Sequence, residues 1–124
     1  MKVLVLSNGK LEVKDIQKGL DALREIVDGY IEIPYLSNEL YENGIDIIIN
    51  EEGKLMWGMN KEIAVVEKNT GKVLDVIFGN CIFAGHDENG NTIGLDEWQM
   101  DVVGELLEHS AMLNDKSVVR VLYV

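Results

Sequence analysis

The segment MKVLVLSNGKLEV, residues 1–13, decides how the fold begins, because two apolar runs lie on either side of Asn8-Gly9. Asn-Gly between such runs favours a tight hairpin, since both central residues of the turn need a positive φ. The sequence therefore predicts a first hairpin, with strands at residues 3–6 and 11–13.

The same kind of turn signal recurs along the chain. Asn-Gly, Glu-Gly and Thr-Gly pairs lie beside β-branched or apolar runs, and each marks the end of a strand. Pro34 cannot donate to a strand ladder, so its strand runs at an edge or ends there. Gly79 marks a bend or bulge. These signals predict six further strands, at residues 30–35, 45–50, 63–67, 73–78, 80–85 and 117–124.

Two helices are expected between these strands. Ile16, Leu20, Leu23 and Val27 recur at helical spacing, which predicts a helix that packs one face on the sheet and is capped by Gly29. A second helix is predicted from about residue 95 to residue 112, with carboxylates in its first turn, where they complement the helix dipole. They are Asp96 and Glu97, and the apolar stripe that follows is Trp98, Val102, Val103, Leu106 and Leu107.

The predicted fold class is α+β, with one mainly antiparallel sheet, two helices and the order β-β-α-β-β-β-β-β-α-β. A chain of 124 residues fits a single domain, residues 1–124. The apolar run SVVRVLYV, residues 117–124, is expected either to insert in the domain's own sheet or to pair with a second subunit.

Composition limits the classes of protein to which the chain can belong. The single cysteine suits a reducing compartment, and no apolar run approaches the ~18 residues of a membrane span, so a cytosolic protein is expected. A net charge of −11 disfavours nucleic-acid binding, because phosphate backbones repel such a chain unless its few cations cluster. The acidity serves solubility, or it forms a surface that imitates nucleic acid toward a basic partner.

The segment GNCIFAGHDENGN, residues 79–91, contains residue types that occur in reactive and metal-binding sites, but their spacing does not support such a site. In a strand, Cys81 and His86 point to opposite faces, so Cys81 is predicted to be a buried core residue. The spacing fails the requirements of a calcium loop and of a zinc site, and no nucleophile motif is present. No enzyme, metal or cofactor is therefore expected. Anion capture at the helix start near Leu95 stays open.

The segment INEEGKLMWGMNKEI, residues 49–63, is the best candidate for a ligand pocket. Trp57 lies outside a clean alternating pattern, with Asn50, Lys54 and Asn60 nearby. An aromatic ring with amides and a cation around it is what a planar polar ligand such as a nucleotide base needs. The alternative is that Trp57 and its methionine neighbours fill the core under a loop.

The chain resembles the family called domain of unknown function 3846, found in phages and other mobile elements of Gram-positive bacteria. The resemblance covers roughly residues 1–110 and lies in MKVLVL, LDALREIVDGYIE (20–32), INEEGKL (49–55) and VIFGNCIFAG (76–85). It implies a small protein that disarms a host defence by stoichiometric binding in the bacterial cytosol. The family brings no established site residues to carry over.

Three functional hypotheses follow, of which the third is a housekeeping accessory protein of the mobile element with no role in defence. In the first, the protein is a homo-oligomer that sequesters a small nucleotide-derived immune signal. Trp57 stacks on the base, Asn50, Asn60 and Asn80 supply hydrogen bonds, and Arg24, Lys54 or Arg120 meets phosphate. In the second, the protein is an acidic inhibitor that occupies the nucleic-acid channel of a basic nuclease, restriction or CRISPR component.

Overall fold

A computed structural model describes residues 1–56 and 58–124. Its three helices are α1 (Leu20–Val27), α2 (Asn38–Glu42) and α3 (Glu97–Leu106), and a short 3₁₀ turn lies at Gly53–Leu55. The strands are β1 (Lys2–Ser7), β2 (Lys10–Asp15), β3 (Ile31–Glu32), β4 (Ile45–Asn50), β5 (Lys61–Val66), β6 (Val73–Phe78), β7 (Cys81–His86), β8 (Thr92–Ile93), β9 (Ser110–Met112) and β10 (Val118–Tyr123).

The strands form two sheets. The first has the order β2-β1-β7-β4-β3, with β8 paired to β7, and all of its pairings are antiparallel. The second has the order β6-β5-β10-β9. In that sheet β10 lies parallel to β5 and antiparallel to β9. The last strand is thus inserted in the chain's own sheet, as one of the two predicted alternatives required.

The main core lies between the two sheets. Leu6, Phe83 and Ile47 come from the first sheet and pack in one cluster with Ile63 and Leu122 of the second. Helix α3 closes this core with its buried residue Val103 and with Leu107, its C-cap. Helix α1 packs on the opposite face of the first sheet, as predicted, where Leu23 and Val27 meet Val5, Ile48 and Ile82.

The α+β class and the mainly antiparallel pairing are confirmed, and the first hairpin has the predicted turn, with φ of 51° at Asn8 and 80° at Gly9. The number of sheets is a correction, because two are present where one was expected. Gly79 carries the chain out of β6 in one sheet and into β7 in the other, with a left-handed φ of 81°. It therefore separates two sheets, whereas a bend within one had been predicted.

The helix bounds also differ from the prediction. Helix α1 begins only after Gly19, and Asp28 in left-handed conformation is its C-terminal cap, whereas Gly29 had been expected to hold that position. Asp96 is the N-cap of α3, where it forms a capping box with Gln99. The helix ends at Leu106, since the following residues pair as β9 with β10. Trp98, predicted on the buried stripe, is exposed.

The segment between α1 and β4 differs from the prediction in two ways. The segment SNELYENG contains helix α2, whose N-cap Ser37 accepts the N–H of Leu40 at 3.3 Å. Strand β3 was predicted over residues 30–35 but covers only Ile31–Glu32, at the edge of its sheet. The edge position agrees with the lack of a donor at Pro34.

Candidate functional site

The predicted site residues fall into three groups, the first two of which share Asn50, and the first lies at the end of helix α1. Asn50 is only 3% exposed, and its side-chain amide donates to the carbonyl oxygens of Val27 at 3.0 Å and Asp28 at 3.1 Å. Asn80 donates to the carbonyl oxygen of Ile26 at 3.0 Å. The last carbonyls of a helix lack partners within the helix, so both amides stabilise the end of α1.

The second group surrounds a recess of about 300 Å³ between β4 and β6. Asn50 and Lys54, two of the residues named for a ligand pocket in residues 49–63, both line it. Lys54, however, is ion-paired with Asp75. Three more carboxylates line the same recess, those of Glu32, Glu51 and Glu52. Trp57, the predicted stacking residue, lies outside the described residues. The charges of this recess disfavour a phosphate group, because like charges repel in a partly enclosed site.

The third group lies beside the Asn8-Gly9 turn. Arg120 donates to the carbonyl oxygens of Leu107 at 2.8 Å and Gly9 at 2.9 Å. Asn60 donates its side-chain amide to the side chain of Asn8. These two predicted residues are close to each other in space, but both bind the protein's own chain. Their arrangement joins the hairpin to the second sheet.

A buried carboxylate completes this junction. Glu62 is 3% exposed, and its two oxygens accept the main-chain N–H groups of Asn8 at 2.8 Å and Gly9 at 2.9 Å. Burying a carboxylate is costly unless hydrogen bonds stabilise the charge. A polar cleft of about 400 Å³ opens next to it, lined by Asn60, Lys61 and Ser117. These hydrogen bonds account for the burial of Glu62 without any role in binding a ligand.

The three predicted phosphate-binding cations are not brought together. Arg24 lies over the ring of Tyr30, 4.9 Å from its centre, whereas Lys54 and Arg120 occupy the second and third groups. The first hypothesis needed these cations to converge. Their role as ligands stays a prediction, and each has a protein partner in the structure.

The segment GNCIFAGHDENGN, residues 79–91, has the predicted geometry, with Cys81 and His86 in different surroundings. Cys81 is completely buried, and burial, together with the negative charge of Glu62, raises the pKa of its thiol far above the ordinary range. His86 pairs instead with Asp46, at 3.1 Å between Nδ1 and Oδ1. Among residues 1–56 and 58–124, no group of three or more His, Cys, Asp or Glu side chains is arranged to hold a metal ion.

The feature with the character of a binding surface is an aromatic recess that the sequence analysis did not identify. We call it the β4 recess: a cavity of about 220 Å³ between β4 and the segment 33–36, with helix α2 at one end. Its lining is mostly apolar and includes Pro34, Tyr35, Leu40, Tyr41, Ile45 and Ile47. Its volume is below the range of about 300–1,000 Å³ that holds small-molecule ligands.

Exposed aromatic rings stand at the mouth of the β4 recess. The ring centres of Tyr35 and Tyr41 are 5.4 Å apart, and the centre of the His86 ring lies 5.0 Å from that of Tyr41. Tyr35 is 63% exposed and Tyr41 is 53% exposed. Tyrosine side chains left in solvent in this way are typical of the energetically dominant residues of protein interfaces.

Acidic side chains lie on both sides of these rings, in two further recesses that share lining residues with the β4 recess. The β4 recess shares Pro34 with the recess that contains Lys54, and it shares Tyr35, Leu36 and Ser37 with a third recess near the C-terminal strand. We call the three together the acidic groove. Its lining carries two lysines, Lys54 and Lys68, against six carboxylates, those of Glu32, Glu39, Asp46, Glu51, Glu52 and Asp75.

Sequence reasoning missed this groove because its parts come from distant segments. Tyr41 lies in helix α2, between two of the predicted strands, and His86 lies one residue beyond the predicted strand at residues 80–85. The one available signal was the pair of tyrosines around SNELYENG, close to the only proline of the chain.

In the part of the chain that the structure describes, no helix is both long enough and apolar enough to cross a membrane.

Comparison with known proteins gives a family and nothing beyond it. No curated protein and no solved structure matches the chain. The family model described as domain of unknown function (DUF3846) matches residues 1–108, which include every element from β1 to α3. The predicted extent, roughly residues 1–110, agrees with this match. Because the match covers most of the 124 residues, the chain belongs to the DUF3846 family.

Proposed function

We propose that this protein acts by stoichiometric binding of a basic protein partner, and that the acidic groove is its binding surface. The observation that carries the proposal is the combination of two exposed tyrosines over an apolar recess with a surplus of carboxylates around them. In the mobile-element context that the family resemblance implies, the partner is a nucleic-acid-binding component of a host defence system in the bacterial cytosol.

The recess and the tyrosines supply the affinity in this proposal. Interfaces are held mainly by a few aromatic or arginine residues that fill pockets near their centre. The β4 recess has the apolar lining that suits one inserted side chain, and Tyr35 and Tyr41 supply exposed aromatic rings that can contact a cation or another ring. A flat acidic surface without such a recess would bind only weakly and without selectivity.

The carboxylates supply the charge complementarity. Protein surfaces that bind nucleic acid carry clustered lysines and arginines. Six carboxylates against two lysines make the groove complementary to such a surface, and one of the lysines is already paired with Asp75. Complementary charge raises the association rate and makes binding depend on salt.

Sequestration of a nucleotide-derived signal is the second proposal, and the geometry favours it less. Its support is the recess lined by Asn50 and Lys54. The Asn50 amide, however, is used at the end of α1, and four carboxylates surround the place where phosphate would lie. Assembly into a homo-oligomer accompanies that proposal and is checked by measuring the mass of the protein in solution.

The experiment is a binding titration with two sets of probes, followed by fluorescence anisotropy and thermal shift. One set contains synthetic peptides rich in arginine, with and without a large apolar residue. The other contains cyclic di- and trinucleotides and cyclic ADP-ribose. We expect binding of the peptides that contain the apolar residue, weakening as salt rises, and no thermal stabilisation by the nucleotides.

Two variants localise the binding. Tyr41→Ala should weaken peptide affinity tenfold or more, since interface hot spots contribute about 2 kcal/mol or more. Trp98→Ala removes an equally exposed aromatic from α3, outside the groove, and should leave affinity unchanged. Equal affinity of the wild type and Tyr41→Ala would contradict the proposal, and so would strong stabilisation by a nucleotide without peptide binding.

A further inference from the structure

The edge of strand β4 is only half covered. Its main-chain groups alternate in direction, and the pairing of Gly44 with His86 fixes which residues face β7, because the His86 N–H donates to the Gly44 carbonyl oxygen at 2.9 Å. The main-chain N–H and C=O groups of residues 45, 47 and 49 must then point away from β7, toward the edge at which β3 pairs. The Glu51 N–H bond to the Tyr30 carbonyl oxygen, 2.9 Å, confirms this alternation.

Strand β3 covers that other edge for only two residues. Glu32 is paired with Ile49, and Ile31 with Asn50. The next position that would pair across is Pro34 opposite Ile47, and proline has no N–H to donate. Among the described residues, no hydrogen bond reaches the outward N–H or C=O of Ile47.

The uncovered rung of the strand ladder, which consists of the main-chain N–H and C=O of Ile47, coincides with the β4 recess. Pro34 and Ile47 both line that cavity, together with the exposed Tyr35 and Tyr41. Ile47 is buried as a residue, and buried main-chain N–H and C=O groups in proteins almost always have a partner. An apolar recess with an unpaired main-chain donor and acceptor in its wall has the chemistry of a site for an extended peptide.

We infer that the partner segment binds in extended form, that its anchor residue enters the β4 recess, and that this residue exchanges two main-chain hydrogen bonds with Ile47. This inference rests on the proposed function and adds the way in which the partner is recognised. The occupant is a basic segment, because the carboxylates of the acidic groove flank the rung on both sides. Main-chain pairing gives affinity in this kind of recognition, and the recess selects the side chain.

Strand pairing explains why an acidic groove would need an open edge. A partner held only by charges could slide along the groove, whereas one paired rung fixes its register. The same argument gives Pro34 a role in keeping the edge open. It prevents the segment 33–36 from closing the rung with its own main chain.

The test uses a seven-residue peptide of alternating arginine and valine, and the same peptide methylated on the nitrogen of its central valine. Methylation removes one main-chain donor and leaves charge and side chains intact. We expect at least tenfold weaker binding of the methylated peptide. We also expect slower hydrogen exchange of the Ile47 N–H when the unmethylated peptide is bound.

A protein variant tests the edge both in the free protein and through peptide binding. Pro34→Ala restores a donor opposite Ile47, so β3 should lengthen, the exchange of the Ile47 N–H should slow in the free protein, and peptide affinity should fall. Ser37→Ala is a control in the same segment, at the N-cap of α2. It should leave the exchange of Ile47 as in the wild type.

The outcomes separate the two proposals. If Tyr41→Ala weakens binding but methylation of the peptide does not, the acidic groove binds its partner without main-chain pairing, and the inference is wrong while the proposed function stands. If neither peptide binds at all, the proposed function fails and the inference fails with it. Slow exchange of the Ile47 N–H in the free wild-type protein would overturn the open edge by itself.

Discussion

The buried carboxylate of Glu62 lies 2.9 Å from the main-chain nitrogen of Gly9, and this contact links the second sheet to the turn of the first hairpin. The second carboxylate oxygen accepts the N–H of Asn8 at 2.8 Å. A tight turn of this type leaves its central N–H groups pointing outward, so Glu62 satisfies donors that the hairpin cannot satisfy itself. One side chain thus holds two sheets in register.

Replacing Glu62 by glutamine should destabilise the protein. Glutamine keeps one acceptor oxygen but loses the charge and presents an amide to a main-chain donor. Because hydrogen bonds to charged groups contribute about 1.5–3 kcal/mol each, we expect the free energy of unfolding to fall by roughly 1–3 kcal/mol. Denaturant titration measures it. Glu12→Gln, on the exposed strand β2 of the same hairpin, is the matched control and should change little.

Replacing Asn50 by alanine should be as damaging as a core substitution, although the residue is polar. It leaves the carbonyl oxygens of Val27 and Asp28 and the N–H of Glu52 without their partner. An unsatisfied buried polar group costs about 1–3 kcal/mol. Thermal unfolding should show a clear loss, whereas Asn69→Ala in an exposed loop should show almost none. Unchanged stability of Asn50→Ala would leave the residue free for a ligand role.

The hydrogen bonds of Asn50 illustrate what sequence reasoning can and cannot predict here. The hairpins, the burial of Cys81, the packing of α1 and the edge position of β3 follow from turn chemistry and periodicity, which are local. The partners of Asn50, Asn80 and Arg120 lie far away in the chain, so their hydrogen bonds could not be anticipated. These three residues therefore have partners within the protein that the sequence did not indicate, and their role as ligands stays a prediction.

Tertiary pairing also overrode local preference in residues 107–112. Their composition continues the helical pattern, but Ser110–Met112 pairs with β10. The β4 recess was missed for a related reason, because β4, α2 and β7 contribute its walls and its rings from separate parts of the sequence.

The thiol of Cys81 should be unreactive in the folded protein. Its raised pKa keeps it protonated at neutral pH, and burial blocks access, so both the nucleophile and its exposure are lacking. A disulfide exchange reagent at pH 8 should label the native protein only as fast as it opens, and should label it at once in guanidinium. Rapid labelling of the native state would show that the strand end around Gly79 opens readily.

The ion pair between Lys61 and Asp115 predicts a pH effect. A hydrogen bond from Lys61 is the main cause that holds the pKa of Asp115 well below its ordinary value of 3.8. A lowered pKa in the folded state stabilises the protein above about pH 4, and this contribution is lost as pH falls through the folded-state pKa.

The Lys61→Met variant tests that effect through carbon NMR of the carboxyl groups. We expect the pKa of Asp115 to rise toward its ordinary value in the variant. Asp87 is an internal control, since the main-chain N–H of Asn91 is the chief cause that lowers its pKa. A shift of both carboxyl groups would indicate a general disturbance of the fold.

The parallel pairing of β10 with β5 has a consequence for how the chain acquires its structure. It joins residues 63–66 to residues 120–123, across most of the second half of the sequence. Contacts so distant along the chain form late and slow the folding of a domain. During synthesis the apolar strand β5 lacks this partner until the residues after α3 have emerged. Until then one edge of β5 is unpaired and prone to associate with other chains.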